Sequence, residues 1–181
     1  MEKSLRQTAI KISKEAAFIL LTVASAIVLP QILHGLGAVL GVGGKLGQIF
    51  LPMYLPVLII GFYRGPISGA IVGAMAPIIS YAITGMPVAS LLPYITIELI
   101  ALGAFSGAFA QLKLHTPIRV ALAQIAAKAL RLLVFAIVLG VSKGTLNGLF
   151  AGVLISIPGA AIQLVLVSCL LIKKEKETHE E

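Results

Sequence analysis

The sequence predicts an all-α integral membrane protein, one bundle of six transmembrane helices forming a single domain over residues 1–181. Three observations predict it. Hydrophobic residues make up 59% of the chain and charged residues 12%, with a mean hydropathy of +1.05. A soluble domain carries about 25% charged residues. The apolar residues fall into runs of near-spanning length, divided by Gly/Pro turns or short polar segments. The bases crowd alternate connections, as they do when one side of a bilayer is cytoplasmic. The chain has room for about six or seven helices of 20 residues and no space for a soluble module.

The first element is a polar, basic flank over residues 1–15, with Lys3, Arg6, Lys11 and Lys14. Residues 16–33 form the first span. Ala24-Ser25-Ala26 imitates a signal-peptide cleavage site, but the apolar run continues to Leu33, which favours a retained helix. Residues 34–48 hold six glycines, at 35, 37, 41, 43, 44 and 47. The stretch reads as a loop too flexible for a helix and too apolar for ordinary water exposure, folded back as a lid over a cavity. Gly43-Gly44-Lys45 is not a nucleotide-binding loop, since the first glycine is missing and Leu46 stands where Ser or Thr is needed.

Residues 49–63 would reach only about 22 Å as a helix, against a hydrocarbon core of about 30 Å. Pro52 and Pro56 interrupt them, so the second span is short or broken. Arg64-Gly65-Pro66 is a turn, and residues 66–84 are the third span. Gly85-Met86-Pro87 is a second turn, followed by the fourth span at 88–111. Pro117 opens the fifth span, 117–140, at a first-turn position. The sixth runs over 145–172, before a charged tail. Three glycine strips at four-residue spacing (65/69/73, 103/107 and 144/148/152) predict close helix packing.

Topology follows from the bases. With both termini inside, the cytoplasmic side receives Lys3, Arg6, Lys11, Lys14, Arg64, Lys113, Arg119, Lys173, Lys174 and Lys176. The outer side receives Lys45 and Lys143. This positive-inside pattern supports an even number of spans. It also explains the net charge of +7 without a nucleic-acid partner. The partner is the bilayer.

Two bases remain, Lys128 and Arg131, in the middle of the fifth span. With Gln124 they recur at spacings of four and three, so a helix puts all three on one face. Each cation costs about 2.5–3.5 kcal/mol at a helix centre on insertion scales. The stripe must therefore face the bundle interior or a wet cavity. Glu98, in the fourth span, falls at the same depth and can neutralise one cation. Two readings stay open: the surplus charge meets an anionic ligand, or the group is a buried structural pair. The candidate substrate-binding set is Glu98, Lys128, Arg131, Tyr94, Asn147, Gln124, Gln163, His34 and Gln48. Tyr94 lies one turn outward of Glu98, where it could stack on a ligand ring or belong to the interfacial belt. The expected pocket opens outward, walled by spans four to six.

No catalytic set is visible. His34 and His115 fall on opposite sides and His179 is in the tail, so no His cluster is expected to hold a metal. The single Cys169 excludes an internal disulfide or a cysteine-based metal cluster. No cofactor is expected.

The stretch Gly47-Gln48-Ile49-Phe50-Leu51-Pro52-Met53-Tyr54-Leu55-Pro56-Val57-Leu58, then Gly61, Gly65-Pro66, Ile83-Thr84-Gly85-Met86-Pro87, Glu98-Leu99, Pro158-Gly159 and Gln163 together resemble a known family. These are the substrate-binding S components of energy-coupling factor (ECF) transporters, and the resemblance covers nearly the whole chain. Many relatives carry His where this chain has Tyr54. The first-helix Ala-x-x-x-Ala is also absent, Thr22 and Ala26 being the nearest small pair.

The resemblance implies a six-helix protein of a prokaryotic cell membrane that captures a vitamin from outside. It implies delivery through a transmembrane coupling subunit with two ATPase subunits, so that this chain is not itself an enzyme. A cationic site favours pantothenate or cobalamin; folate, biotin and riboflavin also remain open. The alternative reading is a self-contained small secondary transporter or channel. Such proteins often show two related halves, and no repeat relates residues 1–90 to 91–181.

Overall fold

The computed structural model describes residues 2–43, 45–139 and 143–180. Among them it has seven α-helical segments and no strand. They are α1 (Glu2–Val39), α2 (Lys45–Phe50), α3 (Tyr54–Arg64), α4 (Pro66–Thr84), α5 (Leu92–Phe109), α6 (Thr116–Leu139) and α7 (Lys143–Glu180). Five contain a stretch long and apolar enough to cross a membrane: α1, α4, α5, α6 and α7. The 11 residues of α3 reach about 16 Å and cannot cross alone. The expected second span is therefore broken, into α2 and α3.

Pro52 sits in the break, and Leu51 just before it has φ 47°, a left-handed conformation that a branched side chain rarely adopts. Pro66 takes the first position of α4, where its missing N–H costs nothing. Gly85 ends α4 in the left-handed conformation and donates its N–H to the Tyr81 carbonyl at 2.8 Å.

The glycine-rich stretch departs from the loop expected over residues 34–48. Its first part, through Val39, continues α1, and residues 45–48 belong to α2. Only a short turn separates them, with Gly41 and Gly43 at positive φ. The reason is energetic. A glycine inside a helix costs roughly 0.5–1 kcal/mol relative to alanine. Backbone polar groups left unpaired in apolar surroundings cost several kcal/mol each. Where the neighbours are Leu33, Leu36 and Val39, the helix is the cheaper conformation. The outer helices also run further than the apolar windows 16–33 and 145–172. Hydropathy marks where a helix is apolar, not where it stops.

Packing centres on α4 and α5, with α3 against both. A Cβ added to Gly69 would collide with the backbone of Gly103, and the reverse holds too. Gly73 meets the Leu99 carbonyl in the same way, and Gly107 meets Gly65 and Pro66. The first two glycine strips are thus the two sides of one close crossing. The third strip, Gly144, Gly148 and Gly152, lies in the first turns of α7. A Cβ on Gly152 would stand 3.7 Å from Arg131 Nη2. α6 lies against α5 and α7, and α2 against α1 and α7.

Contacts between distant segments define one end of the bundle. Arg64 pairs with Glu15 at 3.2 Å, and Ser68 Oγ donates to Glu15 at 3.0 Å. Arg119 pairs with Glu175, and Lys174 Nζ lies 4.1 Å from the Tyr63 ring centroid. This end gathers the start of α1, the end of α7, the α3–α4 turn and the α5–α6 connection. On the outside, large apolar residues stay uncovered, among them Leu21 on α1, Ile125 and Ile137 on α6, and Leu154 and Val165 on α7. Soluble monomers rarely expose apolar surface on this scale. The helices and this surface are compatible with a multi-pass membrane protein.

Candidate functional site

The crossing of α5 with α6 brings Glu98 against the α6 stripe. Glu98 is completely buried. Arg131 Nη1 donates to its Oε2 at 2.6 Å, and Lys128 Nζ approaches its Oε1 at 3.4 Å. Tyr54, at the start of α3, donates its hydroxyl to Oε2 at 2.8 Å. Lys128 also donates to Ser156 Oγ on α7 at 3.0 Å. One carboxylate and two cations leave a single positive charge. The carboxylate is satisfied by three donors from two helices, which is what a buried charge requires. The void left here is about 10 Å³, too small for a small-molecule ligand.

A second set of polar contacts completes the helix break. Helix ends leave carbonyls unpaired, and at this break they are buried in the bundle. Gln163 Nε2 takes both, donating to Phe50 O at 3.1 Å and Leu51 O at 2.9 Å. Gly159, one turn earlier, makes this possible. A Cβ there would run into Ile49 and Phe50 backbone, so only glycine lets α7 approach closely enough. Gln124 Nε2 reaches Ala160 O at 3.2 Å and Gln163 Oε1 at 3.5 Å, steadying the receptor from α6. Left-handed Leu51 is thus held by its surroundings, as a strained residue must be.

On the other side of Tyr54 lies a partly open cavity of about 250 Å³. Pro30, Gln31 and His34 of α1 form one wall, and Leu51–Tyr54 of the break form another. Ser80 of α4, Met86–Val88 of the following turn, Leu91 and Ile95 close it. Among the described residues the lining carries no Lys, Arg, Asp or Glu. Gln31 Nε2 is buried without a hydrogen-bond partner among the described residues. The imidazole of His34 lies directly against Gly47, where a Cβ would come within 2.7 Å of it.

The sequence-predicted set therefore divides. Glu98, Lys128 and Arg131 meet in one group, while Gln124 and Gln163 meet each other and bond backbone carbonyls at the helix break. Of the pocket expected to be walled by spans four to six, the described residues leave a void of about 10 Å³ beside Glu98, Lys128, Gln124 and Gln163, and its expected outer mouth at Asn147 lies among side chains outside the described ones. His34 lines the larger cavity instead. Tyr94 packs on Phe135 with centroids 4.4 Å apart and the rings tilted by 44°, joining α5 to α6, and is not among the residues lining the cavity. The side chains of Gln48 and Asn147 lie outside the described residues.

Sequence reasoning missed Ser156, Gln31 and Ser80, and gave Tyr54 no role. Ser156, Gly159 and Gln163 recur at spacings of three and four, the same signal that marked the α6 stripe. Gln31 beside Pro30 in an apolar run was a polar residue without an explanation. Nothing in sequence pairs Tyr54 with Glu98, 44 positions away. No protein-family model, no curated protein and no solved structure matches this chain.

Proposed function

We propose that this chain is the substrate-capturing membrane subunit of an ECF-type uptake system for a vitamin or similar micronutrient. In this reading it is a multi-pass protein of a prokaryotic cell membrane with both termini in the cytoplasm. ATP hydrolysis belongs to two separate ATPase subunits, linked through a transmembrane coupling subunit.

The observation that supports the reading is the cavity at the helix break. A mostly apolar hollow with a few convergent polar groups is the usual form of a small-molecule site. Here it stands at the bundle end opposite the Arg64–Glu15 and Arg119–Glu175 pairs. Arg64, Lys113, Arg119 and Lys174 lie at the latter end, and the positive-inside rule then supports an outward-facing cavity. Broken helices are where membrane transport proteins build their binding sites.

The chemistry of the lining points to an uncharged, apolar substrate portion. A carbonyl or ring nitrogen on it would accept from Gln31 Nε2. The Glu98 cluster acts behind this wall by positioning Tyr54, whose other side lines the cavity. Pantothenate and cobalamin were favoured on the premise that the cations line the pocket. In this arrangement an anionic group would have to lie beyond the cavity, and riboflavin or another uncharged ring system gains ground.

The test is direct. The chain is purified from a rich-medium host in mild detergent, then heat-denatured, and the released small molecules are identified by mass spectrometry. A stoichiometric vitamin-like compound is expected, and its uptake into cells should collapse when ATP is depleted while the proton gradient is held. Uptake that follows the gradient instead would identify a secondary transporter and overturn the reading.

A further inference from the structure

At the opposite end of the bundle is a second, larger cleft, of about 650 Å³. It lies between the α5–α6 connection and the last turns of the apolar part of α7. We infer that this cleft binds the phosphate headgroup of an anionic lipid. The inference does not depend on the identity of the transported substrate.

Three observations carry it. The first is charge. Lys113, His115 and Arg119 line the cleft, with Glu175 as the carboxylate among its described lining residues. That carboxylate is already engaged: Arg119 pairs with it, and Thr116 Oγ1 donates to it at 2.9 Å. Arg119 is itself fixed, donating to Ala110 O at 2.9 Å and Thr116 Oγ1 at 2.7 Å. The base of the cleft is thus a fixed Arg119–Glu175 pair, and Lys113 and His115 stand exposed at its rim, leaving the lysine charge without a carboxylate of the described lining to balance it. Lys173 and Lys174 follow on α7, the first 3.9 Å from Glu177 and the second over the Tyr63 ring.

The second is apolar surface at the same place. Leu114 and Ile172 line the cleft, and Leu112 and Ile118 stand beside it, each about two-fifths exposed or more. A soluble anion has no use for such a rim, whereas a lipid brings acyl chains to cover it. The third is position. This is the end that carries most of the bases, and basic clefts between membrane helices on the cytoplasmic side suit anionic headgroups.

The experiment is thermal unfolding of the purified full chain in mixed micelles. The probes are dioleoylphosphatidylglycerol, dioleoylphosphatidylcholine, and inorganic phosphate without lipid. Phosphatidylglycerol in large excess should raise the melting temperature by about 5 °C or more over phosphatidylcholine. The double variant Lys113→Gln with His115→Gln should melt as wild type does in phosphatidylcholine and lose at least half of the phosphatidylglycerol shift. Lys113→Arg should keep it, since charge rather than shape is read. Equal melting in the two lipids, or an undiminished shift in the double variant, would overturn the inference. An equal shift with inorganic phosphate alone would overturn it too, by making the cleft a site for a soluble anion. Should the double variant melt low in phosphatidylcholine, native mass spectrometry of wild type decides: selective retention of phosphatidylglycerol supports the site, and indifference refutes it.

Discussion

Glu98 is the side chain whose loss should cost the most, and the structure sets the order of the costs around it. Glu98→Gln keeps shape but removes the only negative charge between Lys128 and Arg131. Two cations then face each other in a low-dielectric interior. Breaking a buried ion pair from one side typically costs about 3–5 kcal/mol. Arg131→Met is milder. It removes the charge-assisted bond at 2.6 Å but leaves Glu98 paired with Lys128 and bonded to Tyr54. A loss of about 1.5–3 kcal/mol is expected. Lys128→Met should cost least, about 1 kcal/mol, because its contact with Glu98 is long at 3.4 Å. The double change Glu98→Gln with Lys128→Met strands one cation instead of two and should recover part of the Glu98→Gln loss. Reversible unfolding in mixed micelles, followed by circular dichroism, measures all four. Glu98→Gln no less stable than wild type would refute the argument that this carboxylate neutralises the bundle core. A larger loss for Lys128→Met than for Arg131→Met would refute the assignment of the principal pair.

Further outcomes follow from the same geometry. Gln31→Ala should weaken substrate capture about fivefold or more by calorimetry, with melting changed little, since one hydrogen bond to ligand is lost and none to protein. Equal affinity would remove Gln31 from the site. Gly159→Val should drive α7 away from α2 and abolish substrate retention; retention at wild-type level would show that Gln163 reaches the break without the close approach. Gly69→Leu should prevent folding of the α4–α5 crossing, seen as loss of the monodisperse peak on gel filtration, whereas Gly35→Ala, with no neighbour within 4 Å of its added Cβ, should be tolerated. Bound substrate should slow amide exchange across residues 34–48; unchanged exchange would rule out closure of that segment.

The spans were legible where apolar length and punctuation agreed. Residues 66–84 were bounded by Pro66 and Gly85, and both act locally as read. The two glycine strips were legible because a helix repeats nearly every four residues. The Glu98–Lys128–Arg131 group was legible because charge at mid-span has few places to go. Residues 34–48 were misread because glycine count was weighed as if water could satisfy the backbone. The cavity was legible only through His34, and its place at the helix break was not. Its walls come from five helices, and the residues that shape it, Pro30, Gly47, Met53 and Met86, look like ordinary apolar sequence. Tyr54 gained its meaning only from a partner that no local pattern names.

The break in the second span has a mechanical consequence. Its two pieces differ in their principal partners: α3 packs mainly on α5 and α4 and also meets α1 and α7, whereas α2 rests on α7 and α1. Between them the chain crosses from one set of principal partners to the other through Leu51, Pro52 and Met53, the same residues that wall the cavity. The hollow therefore straddles a seam, with Ser80 and Ile95 on one bank and Gln31 and His34 on the other. Whatever fills it touches both banks at once. Under the function proposed above, a ligand that bridges both banks is expected to stiffen the seam, so that occupancy would be felt away from the cavity itself.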